Sequence, residues 1–249
     1  MTPVTKTLGL IGSGMIGGTL ARLAITAGLE VVLSNSRGPE SLADLVAELG
    51  DRARAASPAE AAETGDLVVA TIPLHAYDKL PASALTGKTV IDTMNYRSSR
   101  DGHIAELDSN ELTASELVQR HLAGSQVVKA CNNIVFHHLL ALAQPSGAAD
   151  RSALPIAGDD AAAKAEVARL LDTLGYDTVD MGTLAASWRS APTTPVYCAP
   201  YMPTPPEGLE QAEIGRWIFQ SAAIPAPAGR IRELVDSAVR GQVSVNWLA

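Results

Sequence analysis

The stretch Gly9-Leu10-Ile11-Gly12-Ser13-Gly14-Met15-Ile16-Gly17-Gly18 restricts the fold of this chain more than any other. The apolar run Leu8–Ile11 reads as a first β-strand. The residues after the glycines read as a helix, with Leu20, Leu23 and Ala24 on one face. A second strand is predicted at Glu30–Ser34. Gly12-x-Gly14-x-x-Gly17, set between a strand and a helix, is the fingerprint of a dinucleotide-binding βαβ unit. Gly12 permits the turn out of the strand, Gly14 lets a pyrophosphate approach the backbone, and Gly17 lets the helix pack close to the strand. The helix N-terminus adds free N–H groups and a partial positive charge. The competing interpretation is a tight strand-to-helix turn without a ligand.

The end of the second strand selects the cofactor. An NAD site places Asp or Glu there for the ribose 2′-hydroxyl, whereas an NADP site uses small polar groups and an arginine for the 2′-phosphate. No acid occurs between Val31 and Pro39, and Arg37 lies 20 residues beyond Gly17. Asn35 and Ser36 can donate hydrogen bonds, and Arg37 can form a charge-assisted pair or stack on the adenine. NADP(H) is the expected cofactor.

Further αβ units follow. Leu42, Leu45, Val46 and Leu49 recur at helical spacing within a helix predicted over Pro39–Leu49. Ser57-Pro58-Ala59-Glu60 and Thr113-Ala114-Ser115-Glu116 are capping boxes that start helices. Strands are predicted over Asp66–Pro73, Lys88–Thr93 and Gln126–Cys131. Thereafter the rhythm changes: a helix over 135–143, a short strand at Leu154–Gly158, a helix over 161–174 capped by Asp159-Asp160, and a strand at Asp177–Gly182. Two apolar-faced helices are expected near 208–221 and 228–240, docked on the body or at a subunit contact. The expected class is α/β: a Rossmann-type doubly wound parallel sheet with a smaller C-terminal α+β domain and a helical tail. The NADP-binding domain would cover residues 1–135. The smaller domain would cover 136–249 and complete the substrate cleft, with the tail beginning near 208.

Composition removes several classes. The 249 residues are 47% hydrophobic and carry a formal net charge of −8, with no basic run, which argues against nucleic acid as a partner. Two cysteines, Cys131 and Cys198, give no disulfide framework and suit a reducing cytoplasm. Met1–Lys6 lacks the apolar core of a secretory leader, and no run approaches a bilayer span. A cytoplasmic protein without a membrane partner is expected.

Catalytic motifs of other classes are missing. There is no Gly-x-Ser-x-Gly elbow, no phosphate-loop lysine motif and no Tyr-x-x-x-Lys pair. His137 and His138 are adjacent, so on a helix they diverge, and no metal set is expected. His75 and Tyr77 could supply a proton near a nicotinamide, or only line the cofactor groove. Cys131, ending an apolar strand, reads as a small buried residue rather than a nucleophile. The lack of an acid–base pair points to hydride transfer between two stacked planar groups, where proximity and orientation dominate.

Several segments occur together in an order that resembles the NADP oxidoreductases dependent on coenzyme F420. They are the N-terminal glycine motif, Ser36-Arg37, Thr71-Ile72-Pro73, Val127-Val128-Lys129-Ala130, Ile156-Ala157-Gly158-Asp159-Asp160 and Asp180-Met181-Gly182-Thr183-Leu184. The resemblance covers about residues 7–190. It implies that Gly12, Ser13, Gly14, Met15 and Ile16 hold the pyrophosphate of NADP, with Ser36 and Arg37 at the 2′-phosphate; Gly17 and Asn35 complete the expected cofactor-binding set. Ile72, Pro73 and His75 would flank the nicotinamide. Asn132, Asn133 and Ile134 would border the deazaflavin of coenzyme F420, the co-substrate, with Ser187 and Trp188 across from them. Hydride would pass between nicotinamide C4 and deazaflavin C5 in a homodimeric enzyme. Arginines 97, 100, 151 and 189 could offset the overall negative charge near an anionic co-substrate. The polar segment Asp92–Gly102 departs from the family pattern and suggests a second possibility. In it NADPH reduces a small organic imine or carbonyl, with His75, Asn95 or Tyr96 as proton donor. A third is a non-catalytic NADPH-binding sensor.

Overall fold

The computed structural model describes residues 6–241. Residues 1–5, which bear the expectation about a leader, and residues 242–249 lie outside the described residues. Strand β1 (Thr7–Ile11) leads into α1 (Met15–Thr26), β2 (Glu30–Ser34), α2 (Ala43–Leu49) and β3 (Ala53–Ala55). Helix α3 (Pro58–Thr64), β4 (Leu67–Ala70), α4 (Ala82–Leu85) and β5 (Thr89–Asp92) follow. Helices α5 (Ser98–Asp101), α6 (Ala105–Asp108) and α7 (Ala114–His121) separate β5 from β6 (Gln126–Lys129). The chain continues through α8 (Phe136–Ala141), β7 (Ala153–Gly158), α9 (Ala161–Leu174), β8 (Asp177–Asp180), α10 (Gln211–Ile218) and α11 (Ala228–Ser237).

All these strands form one 8-stranded sheet in the order β3-β2-β1-β4-β5-β6-β7-β8. From β3 to β6 the pairing is parallel throughout. The alternation of strand side chains divides the core in two. Leu8, Leu10, Leu67, Val69, Ile91 and Val128 face one apolar cluster, which receives α1, α2, α9 and α11. Ile11, Val68, Ala70, Val90 and Val127 face the other, closed by α4, α6 and α7. Both faces are covered, so the strands read as continuous apolar runs. This is the expected doubly wound α/β architecture. The sheet also runs on past residue 135. Strand β7 pairs antiparallel with β6 through Val128–Gly158 and Lys129–Ala157, and β8 pairs parallel with β7.

Local chemistry sets the element ends. Ser57 and Thr113 each form the capping box read from the sequence. Asp160 caps α9 by accepting from the Ala163 N–H at 2.7 Å. Four strands stop short of their predicted ends, at Ala70, Asp92, Lys129 and Asp180. Cys131 shows why β6 cannot continue: its φ of 55° turns the chain out of extended conformation. The segment from Pro39 begins as a 3-10 turn over Pro39–Leu42, preceded by Gly38 at φ 96°, and becomes α-helical only from Ala43. Among the described residues no helix is long and apolar enough to cross a membrane.

Candidate functional site

The strand order reverses direction between β1 and β4, and in open parallel sheets ligands bind beyond the carboxyl ends of the strands at that switch point. Here the glycine turn leaves β1 while Thr71-Ile72-Pro73 leaves β4 beside it. The Thr71 N–H donates to Ile11 O at 2.9 Å, the Gly12 N–H to Ser34 O at 2.9 Å, and Ser13 Oγ to Ser34 O at 3.0 Å. The loop is thus fastened to both neighbouring strands.

The three glycines do different work. Gly12 sits at φ 104°, where an added Cβ would lie 2.3 Å from Thr71 O. At Gly17 a Cβ would lie 2.1 Å from Gly12 O, so any side chain would wedge α1 off its strand. At Gly14 nothing stands within 4 Å of a built Cβ. Gly14 is also the N-cap of α1 and offers no side-chain cap, which leaves the first-turn N–H groups unclaimed. Tight packing behind and open space in front form a cradle that fits a pyrophosphate.

At the end of β2 the Arg37 N–H donates to Asn35 Oδ1 at 2.8 Å, and Asn35 Nδ2 donates to Ser41 Oγ at 2.8 Å. Asn35 therefore shapes the turn, while Ser36 and Arg37 stand exposed on it. The Arg37 guanidinium has no ion-pair partner among the described residues. Arg37→Ala is expected to weaken NADPH binding by about 1.5–3 kcal/mol, the worth of a hydrogen bond to a charged group, and to leave NADH binding unchanged. Titration of both nucleotides by fluorescence decides it, and equal losses would remove Arg37 from the selector role.

From the glycine turn a cleft of about 380 Å³ opens along the sheet edge. Gly14, Met15, Ile16, Ile72 and Pro73 form one side, and Asn95, Arg97, Arg100, Asn132 and Ile134 the next. Phe136, Tyr197, Cys198, Ile218 and Phe219 close the far side. Met15 and Phe219 are 60% and 54% exposed, so large apolar surfaces are left bare at the cleft. Cys131 and Cys198 also line it, and burial pushes both thiols up to about 12, which keeps them protonated.

The predicted site residues do not all converge here. Asn132 lines the cleft, donates to Ser190 O at 2.8 Å, and is joined to Asn95 by two hydrogen bonds. Asn133 is fully buried away from it, donating to Val196 O at 2.9 Å. The Tyr96 hydroxyl donates to Asp108 Oδ1 at 2.7 Å and accepts the Ile104 N–H at 3.1 Å. Burial and Asp108 raise its pKa, so it holds a loop instead of facing the cleft. His75 does not line the cleft; it stands half-exposed with Nδ1 3.1 Å from Oδ1 of Asp101, the carboxylate that also holds the cleft residue Arg100. Ser187 and Trp188 line a neighbouring cavity. Arg151 is tied to Asp172 and Asp177 far from the cleft, and Arg189 bonds Val235 O.

Asp101 was not apparent from the sequence. Its carboxylate is fully buried and accepts from Arg100 Nε at 2.8 Å, Arg100 Nη2 at 2.8 Å, the Arg97 N–H at 2.8 Å and His75. Burial alone would raise its pKa. The hydrogen bonds from Arg100, the Arg97 backbone and His75 outweigh that and hold it below the ordinary 3.8. A depressed carboxylate stabilises the fold at pH above its unfolded value and loses that contribution as pH falls through its folded value. The urea midpoint of the wild type should therefore exceed that of Asp101→Asn above pH 3.8, with the gap closing below it. A gap independent of pH would detach this carboxylate from the rim arginines.

Residues 7–96 match the family described as NADP oxidoreductase coenzyme F420-dependent. The Escherichia coli (strain K12) protein YjhV is 30% identical over 106 residues, spanning 41% of this chain and 77% of that protein. The crystal structure of the hypothetical protein SMa0349 from Sinorhizobium meliloti superposes with a TM-score of 0.67 at 28% identity, covering 78% of this chain and 93% of that one. A structure from Arthrobacter sp. FB24, named for F420-dependent NADP reductase activity, gives a TM-score of 0.62 at 26% identity, covering 74% and 87%.

Proposed function

Given that the chain belongs to the family of coenzyme F420-dependent NADP oxidoreductases, we propose that it exchanges hydride between NADP(H) and the deazaflavin of coenzyme F420. The observation that carries this reading is the cleft at the β1/β4 switch. It joins an open glycine cradle to apolar walls bare enough to take a second planar ring.

The residues present fit NADP(H). Gly12, Ser13 and Gly14 with the first turn of α1 would hold the pyrophosphate. Ser36 and Arg37 would hold the 2′-phosphate, and Ile72 and Pro73 would support the nicotinamide. When bound, NADPH supplies a hydride at the nicotinamide. Met15, Ile134, Phe136 and Phe219 would pack against the flat rings and shield them from water. The Arg97 guanidinium, which donates to the Tyr197 hydroxyl at 3.2 Å, and that of Arg100, paired with Asp101, line the same cleft and would receive the anionic part of the acceptor. No proton donor has to be aimed into the cleft for hydride exchange, consistent with Tyr96 being committed elsewhere and His75 lying outside the cleft lining.

The test is stopped-flow mixing of the protein with NADPH and oxidised coenzyme F420, following loss of deazaflavin absorbance. Rapid bleaching with NADPH and none with NADH is the expected result. NADPH binding without bleaching would reject coenzyme F420 and favour a small imine or carbonyl acceptor.

A further inference from the structure

A second cavity, of about 80 Å³, lies across the Met94–Asn95 segment from the cleft, and those two residues line both. Among the described residues its lining contains Lys129 and Arg240 and no carboxylate. Lys129 is 3% exposed, and its ammonium bonds Asp92 Oδ2 at 3.2 Å and the Met94 carbonyl. An ammonium has three N–H groups, so one of them finds no protein acceptor among the described residues. Arg240 donates from Nη2 to Leu112 O at 3.0 Å, while its Nε is buried without a partner among the described residues. The first turn of α7 faces the same space through Ala114 and Ser115. Its capping box uses the N–H groups of Thr113 and Glu116, which leaves those of Ala114 and Ser115 as further donors.

Unused donors from three separate elements surround one small cavity. Asp92 balances Lys129, so among the described residues Arg240 is the one charge of the lining without an ion-pair partner. One net positive charge suits a monoanion, and a planar carboxylate offers two oxygens to donors arranged around it. The volume holds a carboxylate and one or two attached carbons, with Leu112 and Trp188 as apolar wall.

We propose that this cavity binds a carboxylate group, held by Lys129, Arg240 and the open first turn of α7. The acid belongs either to the molecule reduced in the cleft or to a separate small ligand. The site stands on its own geometry and does not depend on the identity of the hydride acceptor.

The test is titration of the full chain with sodium acetate at constant ionic strength, balanced by chloride. The readout is the NMR resonance of the Trp188 indole N–H, identified by its loss in Trp188→Phe. A saturable shift, with affinity at least tenfold weaker in Arg240→Gln and unchanged in Arg37→Ala, is expected. No saturable shift, or equal affinity in Arg240→Gln, would overturn the proposal. So would inorganic phosphate binding in preference to acetate. The readout needs no turnover, so failure of the coenzyme F420 reading leaves it intact. In the active enzyme, acetate competing with the hydride acceptor assigns the acid to that molecule, and inhibition without competition assigns it to a separate ligand.

Discussion

Gly17→Ala is expected to destabilise the protein by about 3 kcal/mol, the upper part of the range for overpacking a tight contact. The added Cβ would meet Gly12 O at 2.1 Å, and backbone cannot rotate away as a side chain can. Gly14→Ala should behave oppositely. Its Cβ enters open space, and φ −78° suits any residue. Stability should change by about 1 kcal/mol or less, as for a helix-cap substitution, while NADPH affinity falls at least tenfold because the methyl occupies the phosphate approach. Urea midpoints and nucleotide titration on both variants separate the two roles. Similar stability losses in both, with unchanged affinity in Gly14→Ala, would reduce the motif to a turn.

The second large effect lies beneath the sheet edge. Lys129→Met should cost about 3–5 kcal/mol, the range for removing one partner of a buried ion pair. Asp92 is wholly buried, and its remaining partners, the Met94 N–H at 2.8 Å and Ser115 Oγ at 2.7 Å, are neutral. Burial pushes the Lys129 pKa down while Asp92 pulls it up, so the ammonium depends on its carboxylate as well. Asp92→Asn combined with Lys129→Met leaves no bare charge and should recover most of the loss. A single variant as stable as wild type would mean that the pair is accessible to water.

Much of this architecture was legible because it is local. Glycine spacing, two capping boxes and the apolar strands are written within short windows, and α9 spans Ala161–Leu174 as read. The turn that positions Arg37 needs only Asn35, two residues away. What escaped the sequence depends on contacts across long separations. Nothing around Asp101 announces that His75, 26 residues earlier, will share its carboxylate. Tyr197 reaches Arg97 over 100 residues. Asn133 looked like a site residue beside Asn132, yet adjacent side chains at the end of a strand diverge, and the packing of Val196 and Tyr201 captured it. The tail was recognised as apolar, but its docking of Ile218 against the cleft required the fold itself.

The far wall of the cleft has a thermodynamic character of its own. Val135, Tyr197, Cys198, Met202 and Ile218 form a small apolar cluster, separate from the two clusters that sandwich the sheet. A unit held by so few buried side chains opens at a lower free energy than the global transition. The amides of α10 should therefore exchange with solvent through excursions that leave the strands folded. Any molecule bound beneath Phe219 lowers the frequency of those excursions in proportion to its occupancy. Release of a molecule bound beneath Phe219 would then follow a local breathing mode of the C-terminal segment, and a substitution in that segment should change release rates without touching the chemistry.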